Sequence, residues 1–277
     1  FLLQKREGQI KSWLEKVEDD SRVHAFVIPN GTITGRMSHK SPNMAQVPNL
    51  GSKYGAECRS CWTVPKGYKL VGIDASGLEL RMLAHYMDDK EYTNEILNGD
   101  IHTANQRLAG LESRNQAKTF IYALLYGAGD EKLGSVAGGG KRTGEKLRKS
   151  FFDNLPSFAT LRNKVARTAA KRSYLKGLDG RKIPIRSEHS ALNTLLQGAG
   201  AIIMKQAVVL LNEKIKDLDA HFVANVHDEW QIEVREDLAD TVGKLGVEAI
   251  IEAGKVLKLK CPLDGEYKVG DNWSETH

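Results

Sequence analysis

Three cysteines in 277 residues are too few for a disulfide framework, and that usage points to a reducing compartment. Cys58 and Cys61 have the spacing of a zinc half-site, but no second pair follows at finger or ribbon distance, so the spacing is read as chance. No apolar run approaches a membrane span and no signal peptide is visible, so no membrane is expected as a partner and the sequons at Asn30 and Asn272 mean little. Internal repeats are also lacking. A phosphate-binding P-loop is excluded at Gly138 to Lys141, because Ser135 stands where its first glycine belongs and Arg142 follows the lysine. A hinge or exposed turn is expected there instead.

Acidic residues are nearly missing from 141–186. Only Glu145, Asp153 and Asp179 oppose fourteen lysines and arginines, although the whole chain is mildly basic at +5. A segment of one sign is read either as a phosphate-facing surface or as a solvated helix face.

The richest stretch is R-N-Q-A-K-T-F-I-Y-A-L-L-Y-G, residues 114–127. Arg114, Lys118, Tyr122 and Tyr126 recur every four residues, so on a helix they form one slowly winding stripe. Two cations suit phosphates, and two phenol rings offer flat surface to a base or sugar. Ala117, Phe120, Ile121, Leu124 and Leu125 occupy other faces and can anchor the helix in a core. Gly127 suits its C-terminus.

Along the chain, residues 1–20 read as a short helix, 23–50 as short extended runs broken by turns, and 68–74 as a buried strand followed by a helix at 78–87. Helical patterns fill 91–172, and Gly177 to Pro184 forms a loop or hairpin. A long helix at 188–217 puts Asn193 and Gln197 one turn apart. Two strands, 222–226 and 230–234, are joined by a tight turn with an acidic pair at its tip, and a helix at 237–257 precedes a short tail. The basic, helical block looks like an insertion into a sheet-based domain.

Asp74 closes the buried strand and Asp228 sits at the hairpin tip. A carboxylate at the end of an apolar strand is costly unless a metal or cation neutralises it. Two such carboxylates side by side make an oxygen-rich site for hard divalent ions, and paired Mg²⁺ ions catalyse in-line phosphoryl transfer. Taken singly, each aspartate is equally a cap or turn former.

At this point the motifs D-A-S-G-L-E-L-R (74–81), R-x-x-x-K followed by Y-G (114–127) and V-H-D-E (226–229) resemble motifs A, B and C of family A, polymerase I-like, DNA polymerases. The likeness is greatest to the replicative enzymes of short-tailed phages. I-H-T (101–103), G-L-D-G-R-K (177–182), N-T-L-L-Q-G-A-G-A (193–201), T-G-R-M-S-H (34–39) and the terminal D-N-W-S-E-T-H fit as well, so the resemblance covers nearly the whole chain in order.

It implies an α+β right-hand polymerase fold, an antiparallel palm sheet with helical fingers inserted. Residues 1–89 and 188–277 form the palm, the first part with a remnant of the thumb connection, and 90–187 the fingers. Thumb and exonuclease domain are absent, Phe1 is not a true start, and His277 matches the family's end. The implied activity is template-directed addition of dNTPs to a primer 3′-OH with release of pyrophosphate. Asp74, Asp228 and the Ala75 carbonyl hold two Mg²⁺ ions, with Mn²⁺ as a substitute, and Glu229 supports them. Arg114 and Lys118 grip the β- and γ-phosphates with help from His102. Tyr122 stacks near sugar and base, and Tyr126 stands at the templating position. Arg36, Asn193, Gln197 and His227 contact primer or template.

Glu79 resembles the steric gate against a ribose 2′-OH, which disfavours a single-subunit RNA polymerase, a class that shares the K…YG helix and the HD turn. Tyr122 stands where other members have Phe, a pattern linked to acceptance of dideoxynucleotides. A non-catalytic nucleic-acid-binding fragment of the same fold is the other alternative. The partners implied are primer-template DNA, dNTPs and a separate subunit for thumb and exonuclease, in the cytoplasm of a host cell if a phage encodes the chain.

Overall fold

The computed structural model describes residues 1–277. In chain order the elements are α1 (Leu2–Leu14), β1 (Phe26–Ile28), β2 (Ser38–Lys40), α2 (Gly55–Ser60), β3 (Tyr68–Ala75) and α3 (Leu78–Met87). Then come α4 (Lys90–Asn98), α5 (Ile101–Ala109), α6 (Arg114–Leu125), α7 (Asp130–Val136), α8 (Lys141–Asn154) and α9 (Pro156–Arg172). The chain finishes with β4 (Tyr174–Lys176), β5 (Lys182–Pro184), α10 (Ala191–Ile215), β6 (Ala220–Val226), β7 (Glu229–Arg235), α11 (Ala239–Val256) and β8 (Gly265–Gly270). Two compact units result. The first comprises Phe1–Ser76, Ala201–Lys258 and Leu263–His277, and the second Gly77–Gly200 and Leu259–Pro262.

The first unit is built on an antiparallel sheet of order β6-β7-β3-β8. Its centre is β3, whose apolar run Leu70 to Ile73 is buried, as expected of a strand covered on both faces. Side chains alternate along a strand, and the two faces meet different partners. Ile73 packs against α11, where Gly246 lets it approach: a Cβ there would lie 2.3 Å from the Ile73 Cδ1. Leu70, on the other face, joins a core of Trp13, Met44, Val47, Cys58 and Trp273. The tail lies over Gly72, where a Cβ would come within 2.1 Å of the Thr276 carbonyl oxygen. The hairpin expected at 222–234 forms as β6 and β7, with a bulge between Phe222 and Ala224. β8 was not foreseen in the sequence, because its alternation of polar residues reads as tail.

The second unit is almost entirely helical, with the small hairpin β4-β5 at its end. Its core runs through Phe120, Phe151 and Phe158, whose rings meet edge to face at 5.8 and 5.3 Å. The glycine-rich stretch before Lys141 is the turn between α7 and α8, with Gly138 at φ +70°.

One expectation needs correcting. Residues Glu188–Ile215 are long and apolar enough to cross a membrane by length and composition alone. Within this protein, 61% of the apolar window is buried, as in the core helix of a folded domain.

Candidate active site

The carboxylate site is made by strand pairing. Asp74 pairs with Glu229 on β7 and with Glu266 on β8, and the Ala75 N–H donates to the Asp228 carbonyl oxygen at 3.1 Å. His227 and Asp228 form the two-residue turn between β6 and β7, and His227 adopts φ +61°. The end of β3 and the hairpin turn therefore bring Asp74 and Asp228 together. Neither makes an ion pair with a lysine or arginine, and their crowding has an electrostatic consequence. Burial, followed by the charges of Asp228 and Glu229, pushes the Asp74 carboxyl up to about 7.

Glu229 behaves differently, although it neighbours Asp228. It is buried and takes hydrogen bonds from Gln231 Nε2 (2.5 Å) and Trp273 Nε1 (2.5 Å), with His277 Nδ1 at 2.8 Å. Burial pushes its carboxyl upward, but the bonds from His277, Trp273 and Gln231 outweigh that and hold it below the ordinary value. Thr276 Oγ1 donates in turn to Gln231 Oε1 at 2.7 Å. Glu229 thus ties the tail to the hairpin.

No group of three or more His, Cys, Asp or Glu side chains is arranged to hold a metal ion. A pair of crowded carboxylates is still a fitting donor set for a hard divalent cation that takes its remaining ligands from water and substrate phosphates. Burial and mutual repulsion leave Asp74 in want of such a charge. Cys58 is buried and Cys61 exposed, both free, and they form no metal site.

Arg36 and His227 line one recess of the first unit with Met37, Ala201, Met204, Lys205 and Asn225. Burial and the Arg36 charge lower the affinity of His227 for a proton, although Asp228 opposes them.

In the second unit, α6 forms as its sequence dictates. Ser113 and Gln116 make a reciprocal capping box, and Ala117, Phe120, Ile121, Leu124 and Leu125 are all buried. Gly127, at φ +78°, ends the helix: its N–H bonds Leu124 O, and the Ala128 N–H bonds Ala123 O. Lys118 is exposed and makes no ion pair, whereas Arg114 Nε donates to Asp100 Oδ2 at 2.6 Å. Asp100 also caps α5, and these bonds, led by Arg114, hold its carboxyl well below the usual carboxylate range. This partner of Arg114 lies outside the three motifs. Its signal was a capping aspartate just before I-H-T.

His102 stands beside this pair. Burial, then Arg114 and Lys118, lower its affinity for a proton, and its buried Nδ1 has no hydrogen-bond partner. The rings of His102, Tyr122 and Tyr126 follow one another at 6.3 and 6.4 Å. The Tyr126 hydroxyl donates to Glu79, at 3.0 Å to Oε2 and 3.3 Å to Oε1, which joins the end of α6 to the start of α3. Asn193 and Gln197 lie one turn apart on α10, both half-buried. In the basic block, Arg148, Lys149 and Arg181 are paired with Asp130, Asp153 and Asp179. On α9, Lys164, Arg167 and Lys171 are exposed on one face, opposite the buried Phe158, Leu161, Val165 and Ala169.

Comparison with known proteins agrees with these motifs. The DNA-directed DNA polymerases of Enterobacteria phage T3 and Escherichia phage T7 are each 44% identical to this chain over 315 aligned residues, covering all of it and 45% of the relative. The chain therefore spans less than half the length of these relatives. The solved POL domain of Pol1 from M. smegmatis, in complex with DNA primer-template and dNTP, superposes with a TM-score of 0.89 at 25% identity. That match covers 98% of this chain and 52% of the other. The model of DNA polymerase family A matches residues 3–275. With its motifs, its sheet and this match in agreement, the chain belongs to DNA polymerase family A.

Proposed function

We propose that this chain carries the polymerising centre of a template-directed DNA polymerase, adding dNTPs to a primer 3′-OH. The observation that carries the reading is the pairing of β3 with β7, which sets Asp74 beside Asp228 without a cationic partner for either. Residues 1–89 and 188–277 act as palm and 90–187 as fingers. Asp74, Asp228 and the Ala75 carbonyl hold two Mg²⁺ ions, or Mn²⁺ in their place. Such ions, when bound, activate the attacking oxygen and stabilise the leaving one.

The chain's own residues divide the remaining work. Lys118 and Arg114 take the β- and γ-phosphates, with Asp100 orienting the guanidinium. His102 assists by donating a hydrogen bond to the triphosphate. The primer 3′-oxygen attacks the α-phosphorus, the bond to the β-phosphate oxygen breaks, and pyrophosphate leaves. Glu79, held by Tyr126, blocks a 2′-OH, and Tyr122 stacks against the incoming sugar and base. Tyr126 stands at the templating position, Glu229 fixes the hairpin, and Arg36, Asn193, Gln197 and His227 hold primer and template. The free cations of α9 give the second unit a phosphate-facing surface. If a phage encodes the chain, it works in the host cytoplasm, with a separate subunit or a longer polypeptide supplying thumb and exonuclease.

Primer extension with Mg²⁺, comparing dNTPs with rNTPs, tests the reading. Extension with dNTPs alone supports it. Preferential use of rNTPs would favour a single-subunit RNA polymerase, and DNA binding without extension a non-catalytic module.

A further inference from the structure

Arg59 lies on α2, a helix of six residues with little freedom to move. Gly55 begins it so close to Asn49 that a Cβ would come within 1.8 Å of the carbonyl oxygen, and Cys58 is buried in the core beside Trp273. The Arg59 side chain is 6% exposed. Its Nε–H donates to the Pro48 carbonyl at 3.0 Å, and its guanidinium carbon lies 4.5 Å from the Trp273 ring centre. Nη1 has no hydrogen-bond partner, and it faces Glu229 Oε1 at 3.8 Å. Such burial is costly for a cation unless a fixed anion answers it. Glu229, pinned by Trp273, Gln231 and His277, is that anion.

We propose that Arg59 is a positioning residue: its guanidinium, stacked on Trp273 and facing Glu229, fixes the start of β7 and so the turn that presents Asp228. The inference rests on Asp228 belonging to the polymerising centre. A flat, delocalised cation is required, because the group must stack on an indole and present an N–H edge to a carboxylate at once. Lysine keeps the charge and loses the stacking plane.

The test combines Arg59→Lys, Arg59→Gln, Glu229→Gln and the double variant Arg59→Gln with Glu229→Gln, read by backbone hydrogen exchange and primer extension. With Arg59→Lys, exchange is expected to quicken at 226–235 and 271–277 while the melting temperature barely moves. Its kcat should fall about tenfold to a hundredfold, as small misplacements of reacting groups do, with KM for dNTP little changed. The double variant should lose no more than the worse single one, since the pair acts as a unit. Unchanged kcat in Arg59→Lys, additive losses in the double variant, or KM rising as much as kcat falls would overturn the proposal. If Arg59→Gln fails to fold, the lysine and double variants decide. If the unaltered protein extends no primer, the polymerase reading fails, while the exchange data still show whether Arg59 orders the turn.

Discussion

At the sheet end of the first unit, Asp74 and Asp228 are half-buried, crowded and without ion-pair partners, and burial, then the neighbouring carboxylates, drive the Asp74 carboxyl far from its ordinary behaviour. On α6 of the second unit, Arg114 and Lys118 stand exposed, and Arg114 keeps a partner in Asp100. The negative site is the work of three strands distant in sequence. The positive site is the work of one helix. The carboxylates lack a countercharge within the fold, whereas the cations of α6 stand in water.

The heaviest test of this contrast is Asp228→Ala. Losing several kcal/mol of transition-state stabilisation should cut primer extension at least about a thousandfold, with no loss of melting temperature because a repelling charge is gone. A variant that kept its rate would end the assignment. Lys118→Ala should lower kcat/KM for dNTP by about a hundredfold, the scale of one or two charge-assisted bonds, and leave folding intact. Equal loss of stability in both variants would erase the distinction between the two settings.

Glu79→Ala should leave dNTP incorporation largely in place and raise rNTP use by about tenfold or more, measured as the ratio of the two kcat/KM values. Gly127→Ala bears on the helix alone. Its positive φ and a Cβ 2.6 Å from the His189 carbonyl oxygen should cost about 1–3 kcal/mol, read as a lower denaturation midpoint.

The mildest effect is that of pH on the metal-free protein. Asp74 binds its proton up to about pH 7 in the folded state, against 3.8 ordinarily. Between those values the folded state holds the extra proton, so this group's contribution to stability declines as pH rises through that window. Melting temperatures in EDTA should show the decline, Asp74→Asn should flatten it, and added Mg²⁺ should raise the neutral-pH value.

Legibility in the sequence follows the same division. The stripe on α6, its apolar anchors and Gly127 are periodic and local, so the sequence displays them. Asp74 and Asp228 are visible as strand-end carboxylates, but their adjacency depends on β3 pairing with β7, which no local pattern states. Glu266 went unseen opposite Asp74 because G-E-Y-K-V-G alternates like an exposed edge. The anchoring of Glu229 by Trp273, across 44 residues, has no sequence signature at all. The long helix through α10 is legible in the sequence, but not its burial, because an apolar stretch of that length suits a membrane span and a core element alike.

The sheet order has a consequence for how the chain is made. β3 lies between β7 and β8, and Trp273 completes the adjoining core, so the first unit draws on three stretches far apart in sequence. The second unit is nearly one continuous stretch and can collapse while synthesis is still under way. On a ribosome the helix of cations can form early, whereas Asp74 and Asp228 meet only once β7 has emerged and paired with β3. The cationic helix is thus an early product of folding, and the carboxylate pair a late one.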